Sequence, residues 1–177
     1  VCMLTRRVFG KLMTAGLGAF TFAPDTLMGQ AEKSSTAGFQ FSVMMWALKS
    51  RGSFEENLER VAQAGYGHVE LVGEFKTWSE ADFKRILARM QALKITVDAT
   101  AGMSHGFADP AGSDAFIAEL KTLIPIAQRL KCSQLILVSG KRVESAPAGS
   151  QHQASIDALK RSVELLSAAG IVAVIEP

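Results

Sequence analysis

A chain of 177 residues that is 48% hydrophobic and 20% charged can bury one globular core, and it is too apolar for a disordered segment. Its formal charge of +2 arises from Arg6, Arg7 and Lys11, with Asp25 as the only acid before Ala31. The remainder is neutral, which argues against nucleic acid or an anionic membrane as a partner held by charge.

The chain opens with Thr5-Arg6-Arg7-Val8-Phe9-Gly10-Lys11, which resembles the twin-arginine export motif, and Leu12 to Ala23 follows as an apolar run rich in small residues. Gly29-Gln30-Ala31 has the small-x-small form of a cleavage site. Residues 1–31 are therefore expected to be a signal peptide read by the twin-arginine export machinery, and the mature protein is expected in the periplasm. The alternative is a basic amphipathic helix capping the fold, but Gly16 and Gly18 lower its helix propensity. Export by this route implies folding in the cytoplasm, often around a cofactor or metal. Cys2 falls in the leader and Cys132 stands alone, so the mature chain has no internal disulfide.

Residues 32–38 form a polar linker, and 39–177 the folded part. Phe39 to Leu48 is rich in strand formers and reads as a first strand closing on Met44, Met45 and Trp46. Ser53-Phe54-Glu55-Glu56 is a capping box for a helix with Phe54, Leu58, Val61 and Ala62 on one face, and Gly65 stops it. His68 to Val72 is a second strand carrying Glu70. Ser79-Glu80-Ala81-Asp82 then caps a helix whose stripe is Phe83, Ile86, Leu87, Met90 and Leu93. Ile95 to Thr100 is the third strand. After a loop from Met103 to Gly112 comes a helix with Phe116, Ile117, Leu120, Leu123, Ile124 and Ala127, kinked by Pro125. Gln134 to Val138 is the fourth strand, and Ile156, Leu159, Val163 and Leu166 mark the buried seam of the fourth helix. Gly170 ends that helix. Ile171-Val172-Ala173-Val174-Ile175-Glu176-Pro177 reads as a buried fifth strand that presents Glu176 at its C-terminal end, where α/β folds collect their chemistry.

Strict alternation of strand and helix, with strands buried on both faces, specifies a parallel sheet. The pattern leaves a doubly wound open sheet or the first part of a (β/α)8 barrel. No Gly-x-Gly-x-x-Gly follows the first strand and no Walker-type loop occurs, which disfavours a nucleotide-binding version.

Ala64-Gly65-Tyr66-Gly67-His68-Val69-Glu70-Leu71 resembles the second-strand signature of the xylose-isomerase-like TIM barrel superfamily. Ala169 to Pro177, ending Ile-Glu-Pro, resembles its fifth-strand signature. The likeness runs from Phe39 to Pro177 and is strongest to hydroxypyruvate isomerases and ketose 3-epimerases. It implies a TIM barrel truncated after strand five and a metal-dependent isomerase or epimerase for a small sugar or hydroxy acid. It also implies that Glu176 is both a ligand of a divalent Mg²⁺ or Mn²⁺ and the acid/base at the substrate carbon. The family's remaining ligands, an Asp, a His and a second Glu, come from later strands and have no counterpart before Pro177. Such chemistry removes a proton beside a carbonyl and returns it to the neighbouring carbon through an enediolate, which a metal stabilises.

The other candidates carry two readings each. Glu70 hydrogen-bonds a substrate hydroxyl or the surroundings of a metal ligand, or else forms a structural ion pair. Trp46 offers an aromatic wall to a sugar, or belongs to the core. His105 sits in a lid-like loop over the substrate, or is a solvated loop residue. Lys141 meets an anionic group or is solvated, His68 is expected between strand and helix, His152 on the surface, and Asp98 inside the barrel, where it needs partners. Two further functions stand beside the isomerase: an exported barrel that binds carbohydrate without catalysis, and a DNA-repair nuclease, which the neutral charge disfavours. Unclosed sheet edges lead to the expectation of a homo-oligomer.

Overall fold

The computed structural model describes residues 40–177. The expected leader, the linker and Phe39 lie outside them. The described residues form five strands and four α-helices in strict alternation. The strands are β1 (Ser42–Met44), β2 (His68–Val72), β3 (Thr96–Ala101), β4 (Gln134–Val138) and β5 (Val172–Glu176). The helices are α1 (Phe54–Gln63), α2 (Glu80–Leu93), α3 (Ser113–Arg129) and α4 (Ala148–Ala168).

All neighbouring strands are parallel, and their spatial order is their sequence order. A doubly wound sheet needs a point where that order reverses, and a barrel does not. The sheet is thus the β1–β5 portion of a (β/α) barrel.

The core lies on one face of this sheet. Val69, Leu71, Val97, Leu135 and Leu137 point from the strands into it, against Leu58 and Val61 of α1, Phe83, Ile86 and Met90 of α2, Phe116, Leu120 and Leu123 of α3, and Leu166 of α4. Burying each large aliphatic or aromatic side chain contributes about 1.5–3 kcal/mol. Both predicted capping boxes form: the Ser53 and Ser79 hydroxyls accept from the N–H of Glu56 and Asp82, whose carboxylates reach back to the cap N–H. Gly65 stops α1 with a φ of 85°, a conformation that favours glycine. Pro125 sits inside α3, which continues past it.

Three expectations change. The first strand is short: Met45–Arg51 winds into a 3-10 turn, so Trp46 follows the strand instead of ending it. Buried Asn57 causes this by donating from Nδ2 to the carbonyls of Leu48 (2.9 Å) and Gly52 (3.3 Å). In α4 the seam runs through Ala158, Ser162 and Leu166, while Val163 is 56% exposed. Ser162 tolerates burial because its hydroxyl donates to the Ala158 carbonyl at 2.7 Å. Finally, the strands are buried on one face, not two. β5 is an edge strand paired only with β4, with Val172 61% and Ile175 46% exposed.

Candidate functional site at the C-terminal ends of the strands

Parallel pairing brings the C-terminal ends of all five strands to one rim. There Met44 pairs with Glu70, and Val138 with Glu176. Alternation sets Glu70 on the face opposite core residues Val69 and Leu71, and Glu176 on the face of Val172 and Val174. The Glu176 carbonyl accepts from the Ser139 N–H at 3.0 Å, fixing the strand end against β4.

A register shift after Val69 pairs Glu70 with Ala99 and leaves Asp98 as the extra residue of a bulge in β3. The partner that Asp98 needs is Gln134, whose Nε2 donates to it at 3.2 Å. His68 does not pack between strand and helix. It shares the face of Glu70, and its Nδ1 lies 2.9 Å from the Thr96 hydroxyl. Partial burial pushes the Glu70 carboxyl up from its ordinary value, and the charges of Glu176, Asp98 and Glu74 push the same way.

Carboxylate oxygens are hard donors suited to Mg²⁺ or Mn²⁺, and a cation would relieve the crowding of like charge at this rim. Among the described residues, no three His, Cys, Asp or Glu side chains converge as a metal site. Glu176 can therefore supply one ligand of such a centre and not a complete set.

His105 lies in the loop between β3 and α3, and Glu119 of α3 clamps that loop. The Ser104 N–H donates to both Glu119 oxygens at 2.8 Å, the His105 N–H reaches Oε2 at 3.0 Å, and the His105 Nδ1 lies 3.0 Å from the same oxygen. Lys76 adds an ion pair at 3.3 Å. Burial opposes ionisation of Glu119, but these donors outweigh it and hold the carboxyl at about 2. Beyond the clamp, Phe107 and Ala108 donate to the carbonyls of Val138 and Ser139 at 3.1 Å. The loop is thereby tied to the residue that fixes the end of β5.

Trp46 is 60% exposed and lines a cavity of about 440 Å³ beside the ends of β1 and β2. Trp78, Lys49, Glu74 and Thr77 line it too. One Glu74 oxygen accepts from the Val72 N–H, while the other, Oε1, is shielded from water and has no partner. Leaving such an oxygen unpaired costs about 1–3 kcal/mol. Lys141 is exposed past β4, and His152 is exposed on α4. The structure thus brings Glu70, Asp98 and Glu176 to one face, sets Trp46 in a cavity beside them, and binds His105 to Glu119.

Sequence reasoning missed Glu74, Glu119 and Trp78. Glu74 follows Gly73 directly past a strand end, which is a usable signal. Glu119 gives none, since its partners lie 14 and 15 residues away along the chain.

A sequence profile of the family described as "Xylose isomerase-like TIM barrel" matches residues 58–177. No curated protein sequence matches the chain. Among solved structures, an AP endonuclease, family 2, from Brucella melitensis is similar at a TM-score of 0.68 and 19% identity, over 78% of this chain and 55% of that one. A sugar phosphate isomerase/epimerase from Parabacteroides distasonis is similar at 0.62 and 18%, over 80% and 52%. D-psicose 3-epimerase with D-tagatose from Clostridium cellulolyticum gives 0.63 and 12%, over 76% and 51%. The chain spans about half the length of these proteins. At such identities the likeness concerns the fold, which hosts several chemistries.

Proposed function

Because the chain belongs to the xylose isomerase-like TIM barrel family, we propose that it forms the N-terminal part of a metal-dependent sugar or hydroxy-acid isomerase or epimerase, hydroxypyruvate isomerase-like in its chemistry. The observation that carries this reading is the placement of Glu176 at the end of β5, on the sheet face that holds no core and looks toward Glu70 and Asp98. Two structural neighbours, a sugar phosphate isomerase/epimerase and a D-psicose 3-epimerase, support it.

In this proposal Glu176 takes the proton from the carbon beside the substrate carbonyl; isomerisation returns it to the neighbouring carbon, whereas epimerisation returns a proton to the opposite face of the same carbon from a second acid. Glu70 hydrogen-bonds a substrate hydroxyl, Trp46 covers an apolar edge of the sugar, and His105 contacts it from the clamped loop. A divalent Mg²⁺ or Mn²⁺ held with Glu176 as one ligand would acidify that carbon by polarising the carbonyl. Export through the twin-arginine route to the periplasm is part of the same proposal.

The test is turnover of hydroxypyruvate and of ketohexoses by the full-length protein supplied with each metal. Glu176→Gln is expected to keep the fold, to lower metal content and to lose about 10²–10⁴-fold in rate. The AP endonuclease neighbour sets the competing reading, so an abasic-site DNA duplex belongs in the same assay. Incision of that duplex without isomerase activity would replace this proposal by the nuclease reading.

A further inference from the structure

The cavity between the Met45–Arg51 turn and the Glu74–Thr77 turn has polar groups that the proton transfer does not use. Resting on the isomerase or epimerase reading, we infer that this cavity is a specificity subsite that takes an uncharged vicinal-diol end of a sugar and rejects a phosphorylated one.

Its size, about 440 Å³, is within the range of small-molecule pockets. Its walls suit the C–H faces of a sugar. Trp46 and Trp78 both line it, and Trp78 is held edge-on by Phe54 at 5.0 Å and Phe83 at 5.1 Å between ring centroids. Buried Asn57 fixes the floor by holding the carbonyls of Leu48 and Gly52.

Two polar groups are left over. Glu74 keeps Oε1 without a donor, and Lys49 is in no ion pair among the described residues. A hydroxyl both donates and accepts, so two adjacent hydroxyls can satisfy Glu74 and Lys49 together once Glu74 leaves its inward pose, giving up the Val72 N–H bond of one oxygen and the donorless burial of the other, and turns toward the cavity. A phosphate ester satisfies Lys49 alone and sets its own charge against Glu74. A carboxylate meets the same repulsion. Glu74 lies four residues beyond Glu70, in the turn that follows β2, and its charge acts on Glu70. The subsite thus lies beside Glu70, the proposed partner of a substrate hydroxyl, and a three-carbon substrate has no chain left to fill it.

Trp46 and Trp78, the two tryptophans of the 177-residue chain, both line this cavity, so the part of a fluorescence change that Trp46→Phe and Trp78→Phe remove is the part that reports on it. The experiment titrates the full-length protein with D-fructose, D-tagatose, D-fructose 6-phosphate and hydroxypyruvate. A saturable change is expected with the two hexuloses, about tenfold weaker binding of the phosphate ester, and no change with hydroxypyruvate. Glu74→Gln is expected to narrow the gap by weakening the hexuloses and admitting the ester. Lys49→Met, on an exposed side chain that the fold does not need, is expected to weaken the hexuloses. Equal binding of ester and free sugar by the unaltered protein, or no response to either hexulose, overturns the subsite. Turnover assays run beside the titrations separate the two readings, since the assays read proton transfer and the titrations read binding in the cavity. Turnover without discrimination sinks only the subsite, and discrimination without turnover sinks only the isomerase.

Discussion

The position of Glu176 at the end of β5 was legible because an apolar β-branched run that stops on a carboxylate reads as a strand end in an α/β chain. Trp46 was found at the right end of the sheet but on the wrong element, since the turn that carries it depends on Asn57, nine residues from Leu48. Glu119 escaped because it looks like any solvated helical acid. Its low pKa makes a prediction. A carboxyl depressed to about 2 in the fold contributes stability above its unfolded value, and this is lost as pH falls through the folded one. Urea midpoints should therefore fall between about pH 5 and pH 2, and Glu119→Gln should lower stability at neutral pH while flattening that acid limb. An unchanged acid limb in the variant would show that the clamp contributes nothing.

Local chemistry was the readable part at the scale of elements. Both capping boxes, the α2 and α3 stripes and the extents of β2 and β4 depend on neighbours a few residues apart, and all appear as expected. The α4 seam failed because Ser162 is polar in sequence but satisfied by its own helix. Contacts between loops were not readable at all. A Cβ on Gly106 would meet the Ser139 carbonyl at 2.2 Å and the Gly140 backbone at 2.4 Å, and backbone cannot yield cheaply. Gly106→Ala should cost roughly 1–3 kcal/mol and speed proteolysis of the loop before α3. Gly149, in α4, has open space around it, so Gly149→Ala should be neutral or stabilising by up to about 1 kcal/mol. Equal effects of the two in thermal melts would contradict the packing described.

For the whole molecule, alternation announced a parallel sheet, the resemblance of two strand signatures pointed to the barrel, and the observed order of strands bears that out over the doubly wound alternative. Exposure along the edges of the sheet has a consequence in solution. Val172 and Ile175 stand on an edge strand with unpaired backbone groups, and Phe41 and Trp46 are exposed near the other edge. The 177-residue chain is expected to elute from size exclusion as an oligomer and to bind a dye for apolar surface. A monodisperse monomer without dye binding would contradict this. Export is tested by replacing Arg6 and Arg7 with Lys, since the export receptor reads the guanidinium pair and not its charge alone. The precursor should then stay in the cytoplasm.

The central claim is that Glu176 moves a proton at a carbon beside a carbonyl. Its most direct measurement is deuterium uptake from D₂O, followed by NMR, in a ketohexose and in hydroxypyruvate incubated with the full-length protein and Mg²⁺ or Mn²⁺. Exchange is predicted at the carbon next to the carbonyl of at least one of them, and Glu176→Gln should lose it while melting at the temperature of the unaltered protein. Exchange that persists in Glu176→Gln, or none with any of these substrates and metals, would contradict the account.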